Sequence, residues 1–382
     1  MKRIAVIIFG LLAAKGAAAQ EALGFRISEG SPRVNDDSSV SFVLRAPEAR
    51  NVSVAGIGEP IKMAKDSAGI WSVTTAPLPP DLYTYTFDID GVRTLDPSNI
   101  YTARDIAALS NVVIVPGGTA DLYAVKDVPH GNVSKVWYDS PTLGLQRRMT
   151  VYTPAGYDPA RDRRYPVLYL LHGMGGDEDA WGELGRAATV LDNLIAEGRA
   201  EPMIVVMPNG NADLAGAPGQ TNRGLYTPKA EDSRSESGKF ENSFGDIVGY
   251  VDSHYHTRAD KAGRAIAGLS MGGGHSWRIS MLNPDMFDYV GLFSAAVRWN
   301  GKGVSDDEIG LGELLGRQFA NPPKLYWIAI GDKDFLYGLN KDYRELLDAK
   351  SIPYEYHESA GGHTWTNWRT YLTKFLPRLF RD

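Results

Sequence analysis

The sequence predicts two folded regions in series: a smaller all-β sandwich, followed by an α/β region built on a doubly wound, mostly parallel sheet. Between residues 22 and 118 the chain consists of short alternating segments separated by turn residues, which is typical of a sandwich. Between residues 124 and 382, near-continuous apolar runs alternate with amphipathic stretches, which indicates parallel strands covered by helices on both faces.

The predicted strands of the first region include SVSFVLRA, NVSVAGI, IWSVTTA and LYTYTFDIDG. In the last of these, alternation predicts that Tyr83, Tyr85 and Phe87 share one face, and Asp90-Gly91 supplies a tight turn. A linker-like Pro116-Gly117-Gly118 follows, so we place the boundary between the two regions near residue 120.

These segments, together with DPSN at 96 to 99, resemble the early-set immunoglobulin-like modules related to carbohydrate-binding module family 48. The resemblance covers about 75 residues and implies an immunoglobulin-like sandwich that binds α-glucan in some relatives and only packs against a catalytic domain in others. Trp71, Tyr83 and Tyr85 are candidate platforms for stacking sugars, but aromatic residues at strand spacing are more commonly buried, and we favour burial.

The predicted parallel strands of the second region are YPVLYLLHG, MIVVMPNG, AIAGLS, YVGLFSA and KLYWIAIGD, and the predicted helices include GRAATVLDNLIAEG, FGDIVGYVDSHY and LNKDYRELLDAK. Right-handed strand-helix-strand connections between them give a doubly wound sheet, which binds its ligands beyond the carboxyl ends of the strands.

Composition excludes several classes of function. The chain is 43% hydrophobic and 23% charged, as in a globular protein, and its net charge of -6 without a basic cluster argues against a nucleic-acid partner. It contains no cysteine, which rules out thiol catalysis and thiolate metal sites.

The first 19 residues have the pattern of an export signal. Lys2 and Arg3 precede an apolar stretch, and Ala17-Ala18-Ala19 forms a small-residue cleavage site before Gln20. The apolar stretch is too short to cross a bilayer. We therefore expect an exported protein, periplasmic or secreted, with no membrane span after processing.

Gly268-Leu269-Ser270-Met271-Gly272 satisfies the pattern G-x-S-x-G and stands between the strand AIAG and a predicted helix. This is the position of the nucleophile in the α/β-hydrolase fold, where a sharp turn presents the serine and small neighbours make room for it. The sequence therefore predicts that Ser270 is a catalytic nucleophile.

A serine nucleophile needs a base and an acid that orients the base, and in this fold the order along the chain is serine, acid, histidine. His357 belongs to the alternating segment YEYHE, whereas His363 follows it in a glycine-containing loop, so His363 is the predicted base. Asp332 and Asp334 both follow the strand KLYWIAIG, and spacing alone does not separate them as the acid.

Acyl transfer also requires donors that stabilise the oxyanion. One is the backbone N–H of Met271, at the start of the helix that follows Ser270. The second is expected from the loop that contains His172, Gly173 and Met174, and we assign it to the N–H of Met174. For His172 we favour a role in shaping this loop.

The segments LLHGMGGDEDAW, GLSMGGG, GDKDFLY and GGHTWTNW resemble the feruloyl and acetyl-xylan esterase family, also called carbohydrate esterase family 1, from about Gly131 to the C-terminus. The resemblance implies a triad of Ser270, Asp334 and His363, and so selects Asp334 over Asp332. It likewise implies oxyanion donors at Met174 and Met271. We expect no cofactor and no metal.

The expected partner is an acylated plant cell-wall polysaccharide or oligosaccharide, and the expected reaction is hydrolysis of its feruloyl ester. A long polar segment between Asn209 and Phe244 is expected to build part of the cleft, and Tyr226, Trp299 and Trp365 are the candidate substrate-binding residues. The alternatives are an acetyl-xylan esterase, an acyltransferase or siderophore esterase on the same fold, and a non-catalytic carbohydrate-binding protein.

Overall fold

The computed structural model describes residues 30–221, 224, 238–298 and 310–381. The predicted export signal at residues 1–19 lies outside these ranges and stays a prediction. Within the described ranges, no helix combines the length and the apolar character that crossing a membrane requires.

The N-terminal region consists of antiparallel strands in two sheets, ordered β1-β2-β6-β5 and β4-β3-β7-β10-β9, with β8 paired to β7. The strands are β1 Arg33–Val34, β2 Val40–Arg45, β3 Val52–Gly56, β4 Gly58–Lys62, β5 Ala64–Lys65, β6 Ile70–Thr74, β7 Asp81–Ile89, β8 Val92–Thr94, β9 Thr102–Asp105 and β10 Ala108–Val115.

Aromatic side chains fill much of the core of the sandwich. Phe42 contacts Tyr85 edge-on, with ring centroids 4.8 Å apart, and Phe87 packs against both. Trp71 is also buried, and its indole N–H donates to the carbonyl of Ala46. Trp71 and Tyr85 thus pack the core of this region, whereas Tyr83 is only partly buried.

The second region contains one sheet ordered β11-β12-β14-β13-β15-β16-β17-β18. Strand β12 is antiparallel to both of its neighbours, and the strands from β14 to β18 are parallel. The strands are β11 Asn132–Ser140, β12 Leu145–Thr153, β13 Val167–Leu171, β14 Ile204–Pro208, β15 Arg264–Leu269, β16 Tyr289–Phe293, β17 Leu325–Gly331 and β18 Glu355–Ser359. The described α-helices are α1 Ala180–Glu183, α2 Ala187–Ala196, α3 Lys239–His254, α4 Met271–Leu282, α5 Leu311–Ala320, α6 Tyr337–Ala349 and α7 Trp365–Phe375.

The continuous apolar runs are explained by burial on both faces of the sheet. Successive residues of β13 belong to different cores: Leu168 packs with α2 and α7, and Tyr169 packs with α3 and α4. A mostly parallel sheet covered by helices on both faces is the arrangement of the α/β-hydrolase fold, and a smaller all-β sandwich precedes it in the chain. The predicted fold class is therefore confirmed. The antiparallel strands β11 and β12 at one edge were not among the predicted strands.

The two regions share a buried junction. Leu82, Ala103 and Val112 of the sandwich belong to the same apolar cluster as α2 and α7. Within this junction the guanidinium of Arg369, on α7, donates to the Asp81 carboxylate at 3.0 Å, and it is 2% exposed. The sandwich therefore packs directly on the helix that follows the His363 loop.

The chain between the last sandwich strand, which ends at Val115, and the start of β11 at Asn132 includes a 3-10 helix over Gly118–Leu122. The predicted boundary near residue 120 falls within this connection. That the two regions are separate domains stays a prediction.

Candidate active site

Ser270 lies between the end of β15 and the start of α4, with φ 53° and ψ -117°. Its N–H donates to the carbonyl of Phe293 at 2.9 Å, and its own carbonyl accepts from the N–H groups of Gly274 and Ala296. A non-glycine residue at this φ is strained by roughly 1–3 kcal/mol and needs surroundings that hold it. These three backbone hydrogen bonds supply that support.

The glycines beside Ser270 are required by packing. A Cβ on Gly268 would lie 2.4 Å from the backbone of Gly272, and a Cβ on Gly272 would lie 2.4 Å from the carbonyl oxygen of His172. Helix α4 thus lies so close to β15 and to the loop after β13 that neither Gly268 nor Gly272 has room for a side chain.

His363 lies in the loop between β18 and α7, and its Nδ1 is 2.9 and 3.0 Å from the two carboxylate oxygens of Asp334. The His363 ring packs edge-on against Trp368, with ring centroids 4.9 Å apart, and at a tilt against Phe335, with centroids 4.4 Å apart. The imidazole is therefore held in position both by a carboxylate and by aromatic packing.

Asp334 is buried, and burial raises its pKa. Hydrogen bonds from His363 and from the backbone N–H of Leu336 outweigh that effect, so the net shift of the Asp334 pKa is downward. The group is thus a carboxylate at neutral pH and stabilises a positive charge on the neighbouring ring.

The competing Asp332 has a different environment. Its side chain is exposed and accepts the backbone N–H of Gly361 at 2.9 Å. It therefore supports the backbone of the His363 loop, while Asp334 contacts the imidazole. His357 lies on β18, with its ring stacked on Trp327, and is not among the residues lining the cavity that contains Ser270.

Ser270 and His363 line one cavity of about 590 Å³, together with Gly173, Met174 and Trp365. Met174 is 49% exposed, whereas Met271, the first residue of α4, is buried. The predicted nucleophile, base and oxyanion loop thus meet at the carboxyl ends of the parallel strands, as the fold predicts.

His172 holds the loop that carries Met174. Burial lowers the pKa of His172 to about 4, so the ring is neutral at neutral pH. Its Nε2 accepts the N–H of Gly210 at 2.7 Å, which leaves the proton on Nδ1, and Nδ1–H donates to the carbonyl of Gly173 at 2.7 Å. His172 thus fixes the backbone immediately before Met174.

Of the three predicted substrate-binding residues, Trp365 is described. It lines the cavity and packs against Trp181 and Trp368, with ring centroids 5.4 and 5.2 Å away. Tyr226 and Trp299 lie outside the described residues, and their assignments stay predictions.

One wall of the cavity comes from the N-terminal sandwich, and sequence reasoning did not predict it. The sandwich residues in this wall are Gly56, Leu82, Tyr83, Thr84, Ala103, Arg104, Asp105, Ile106 and Ser110. No local motif marks these positions, because they become part of a site only when the two regions pack together.

No cluster of three or more metal-ligating His, Asp or Glu side chains is present in the described part of the chain. A serine, a histidine and an aspartate in the arrangement of Ser270, His363 and Asp334 are the groups that nucleophilic acyl transfer uses.

The family model described as putative esterase matches residues 140–379. The chain belongs to this esterase family. The predicted resemblance to the feruloyl and acetyl-xylan esterases is confirmed by the relatives below, whereas the resemblance of the sandwich to family 48 modules stays a prediction.

The chain is 32% identical over 362 residues to an endo-1,4-beta-xylanase/feruloyl esterase of Xylanibacter ruminicola. The match covers 92% of this chain, so it extends into the N-terminal sandwich, but only 46% of that relative. The chain therefore spans about half the length of this curated relative.

Among solved structures, a ferulic acid esterase of the anaerobic fungus Anaeromyces mucronatus is 27% identical, with a TM-score of 0.54 over 68% of this chain and 95% of that one. A second structure of that enzyme contains ferulic acid. The enterobactin esterase of Shigella flexneri has a TM-score of 0.62 over 90% of this chain and 93% of that one, but at 16% identity this likeness concerns the fold alone.

Proposed function

We propose that this esterase hydrolyses feruloyl esters of plant arabinoxylan, with Ser270 as nucleophile, His363 as base and Asp334 as the acid that orients it. The observation that carries the proposal is the shared cavity. Ser270, on its strained turn, and His363, hydrogen-bonded to the buried Asp334 carboxylate, line the same space.

In the proposed reaction, Nε2 of His363 accepts the proton of the Ser270 hydroxyl as its oxygen attacks the ester carbonyl. The N–H groups of Met174 and Met271 stabilise the oxyanion. The imidazolium then protonates the sugar oxygen as the ester bond breaks, and the feruloyl group remains esterified to the Ser270 oxygen. Water, activated by the same ring, releases ferulic acid and restores the serine.

Two observations support the substrate class. The Xylanibacter ruminicola relative is named a xylanase and feruloyl esterase, and the ferulic acid complex is a structure that matches 68% of this chain. In addition, aromatic residues such as Trp365 line a cavity with ample room for a feruloyl group.

The first test identifies the nucleophile. The full chain is treated with a fluorophosphonate and digested, and the adduct is located by mass spectrometry. We expect one adduct per chain, on Ser270, and its absence from the Ser270→Ala variant. An adduct on another serine would overturn the assignment of the nucleophile.

The second test identifies the acyl group. Initial rates are compared for methyl ferulate, acetylated xylan and p-nitrophenyl acetate. We expect the highest kcat/KM for methyl ferulate. Turnover of the acetates alone would favour the acetyl-xylan esterase alternative, and turnover of none would favour a non-catalytic carbohydrate-binding protein.

We also propose that the protein is exported, since residues 1–19 have the pattern of a cleaved signal and the proposed substrate is an extracellular polymer. N-terminal sequencing of the mature protein from the native host is expected to begin at Gln20. A mature protein that retains Lys2 and Arg3 would contradict cleavage.

A further inference from the structure

The β9–β10 hairpin of the sandwich reaches the loop that carries the proposed oxyanion donor Met174. Its strands are joined through Ile106 and Ala107, and Asp105 pairs with Ala108. Ile106 adopts φ 53°, which is rare for a β-branched residue. A strained turn of this kind persists only where its surroundings hold it.

The Ile106 side chain lies directly on the oxyanion loop. A Cβ added to Gly175, the residue after Met174, would lie 2.9 Å from both Cδ1 and Cγ1 of Ile106. The hairpin turn therefore occupies the space in front of Gly175. His172 holds the same loop from its other end, through the carbonyl of Gly173.

Arg104 makes the second connection. Its Nη2 donates to the Asp177 carboxylate at 2.7 Å, while Nη1 donates to the carbonyl of Ile106 at 2.9 Å. The Asp177 side chain is 3% exposed, and its other oxygen accepts the N–H of Asp179. One guanidinium thus joins the hairpin turn to the chain three residues after Met174.

We propose that the β9–β10 hairpin positions the oxyanion loop, so that Arg104 and Ile106 are positioning residues for ester hydrolysis. The inference rests on the proposed function. If the hairpin positions the loop, the sandwich contributes to the chemical step even when the substrate is a small ester without a sugar, such as methyl ferulate. Ser270, His363 and Asp334 keep their own contacts without it.

The test uses the full chain and methyl ferulate, with rates normalised to active sites titrated by a fluorophosphonate. Arg104→Ala and Ile106→Gly are each expected to lower kcat per titrated site about 10- to 100-fold, because small displacements of an oxyanion donor are costly. KM is expected to change less than about twofold, because the donor acts mainly in the transition state.

Three features separate positioning from a general loss of structure. Glycine tolerates φ 53°, so Ile106→Gly keeps the turn while removing the side chain. Arg104→Lys keeps a charge for Asp177 and is expected to give an intermediate kcat. Leu109→Ala, at an exposed position on the same hairpin, is the matched control and is expected to retain the parent kcat.

Normalisation removes the effect of unfolded protein, because misfolded chains are not titrated. An unchanged kcat per site in both Arg104→Ala and Ile106→Gly would overturn the inference, and so would a rise in KM alone, which would indicate direct substrate contact. Failure of the parent protein to be labelled or to turn over any ester would instead overturn the proposed function, and this inference with it.

Discussion

The active-site cavity has one wall from the hydrolase region and one from the N-terminal sandwich, and the two walls differ in how far the local sequence predicts them. On the hydrolase wall, Met174, Ser270 and His363 each lie within four residues of a strand end in the parallel sheet. On the sandwich wall, the lining residues come from the end of β3, from the first half of β7 and from the β9–β10 hairpin. The first wall is a consequence of local motifs, and the second is a consequence of docking.

The two walls also differ in the groups they contain and in how they are held. The hydrolase wall contains the reactive groups, and their backbone conformations are supported by neighbours from the same sheet. The sandwich wall is attached through a buried apolar cluster and the ion pair of Arg369 with Asp81. Substitutions on the hydrolase wall should therefore affect turnover first, and substitutions at the junction should affect stability first.

The largest expected effect is at Ser270. Ser270→Ala removes the attacking oxygen but retains the Cβ, so we expect turnover of methyl ferulate to fall by about ten-thousand-fold or more with little change in Tm. Rates and thermal unfolding of the same preparation test this. Activity close to that of the parent would remove Ser270 from the mechanism.

The two aspartates give the next prediction. Asp334→Asn removes the charge that stabilises His363 and favours the wrong tautomer, so we expect kcat to fall by about a thousand- to ten-thousand-fold. Asp332→Asn is the matched change, two residues away, and retains an oxygen to accept the Gly361 N–H. We expect it to lower kcat less than about tenfold. Equal losses would contradict the assignment of Asp334.

The junction is tested at Asp81, beside the sandwich wall. Asp81→Ala leaves the guanidinium of Arg369 buried without its carboxylate, and breaking such a pair costs about 3–5 kcal/mol. We expect the free energy of unfolding in urea to fall by about 3 kcal/mol. Glu59→Ala, at an exposed position on β4, is the control and should change it by less than about 0.5 kcal/mol. A small effect at Asp81 would mean that the sandwich docks mainly through the apolar cluster.

The last prediction concerns pH and the oxyanion loop. The folded protein holds the pKa of His172 at about 4, below the ordinary value of 6.5, so the unfolded chain binds more protons between these values. The contribution of neutral His172 to the free energy of unfolding is therefore fully present above pH 6.5 and is lost as the pH falls towards 4. This loss amounts to about 3 kcal/mol, from about 1.36 kcal/mol for each unit of pKa shift.

A His172→Gln variant cannot take up this proton, so its free energy of unfolding should decline less steeply between pH 6.5 and 4. Denaturant unfolding at several pH values measures both slopes. Parallel slopes for the parent and the variant would contradict the inference that burial keeps His172 neutral.

Much of the hydrolase region could be predicted from the sequence. The five apolar runs correspond to β13 through β17, and G-x-S-x-G stands at the predicted strand-to-helix turn. Spacing did not separate Asp332 from Asp334, because both follow the same strand. Their difference lies in burial and in the direction of the side chain, which depend on the neighbouring loop that contains His363.

By itself the sequence determined the five parallel strands from β13 to β17, the serine on its turn and the histidine in its glycine-containing loop, because each depends on residues that are close together in the chain. Only the tertiary structure decided which residues complete the cavity. Ile106 and Gly175 are 69 positions apart in the sequence, and nothing near either of them predicts their contact. That contact arises because two separately patterned regions bury apolar surface against each other, and the resulting geometry is a property of their joint packing.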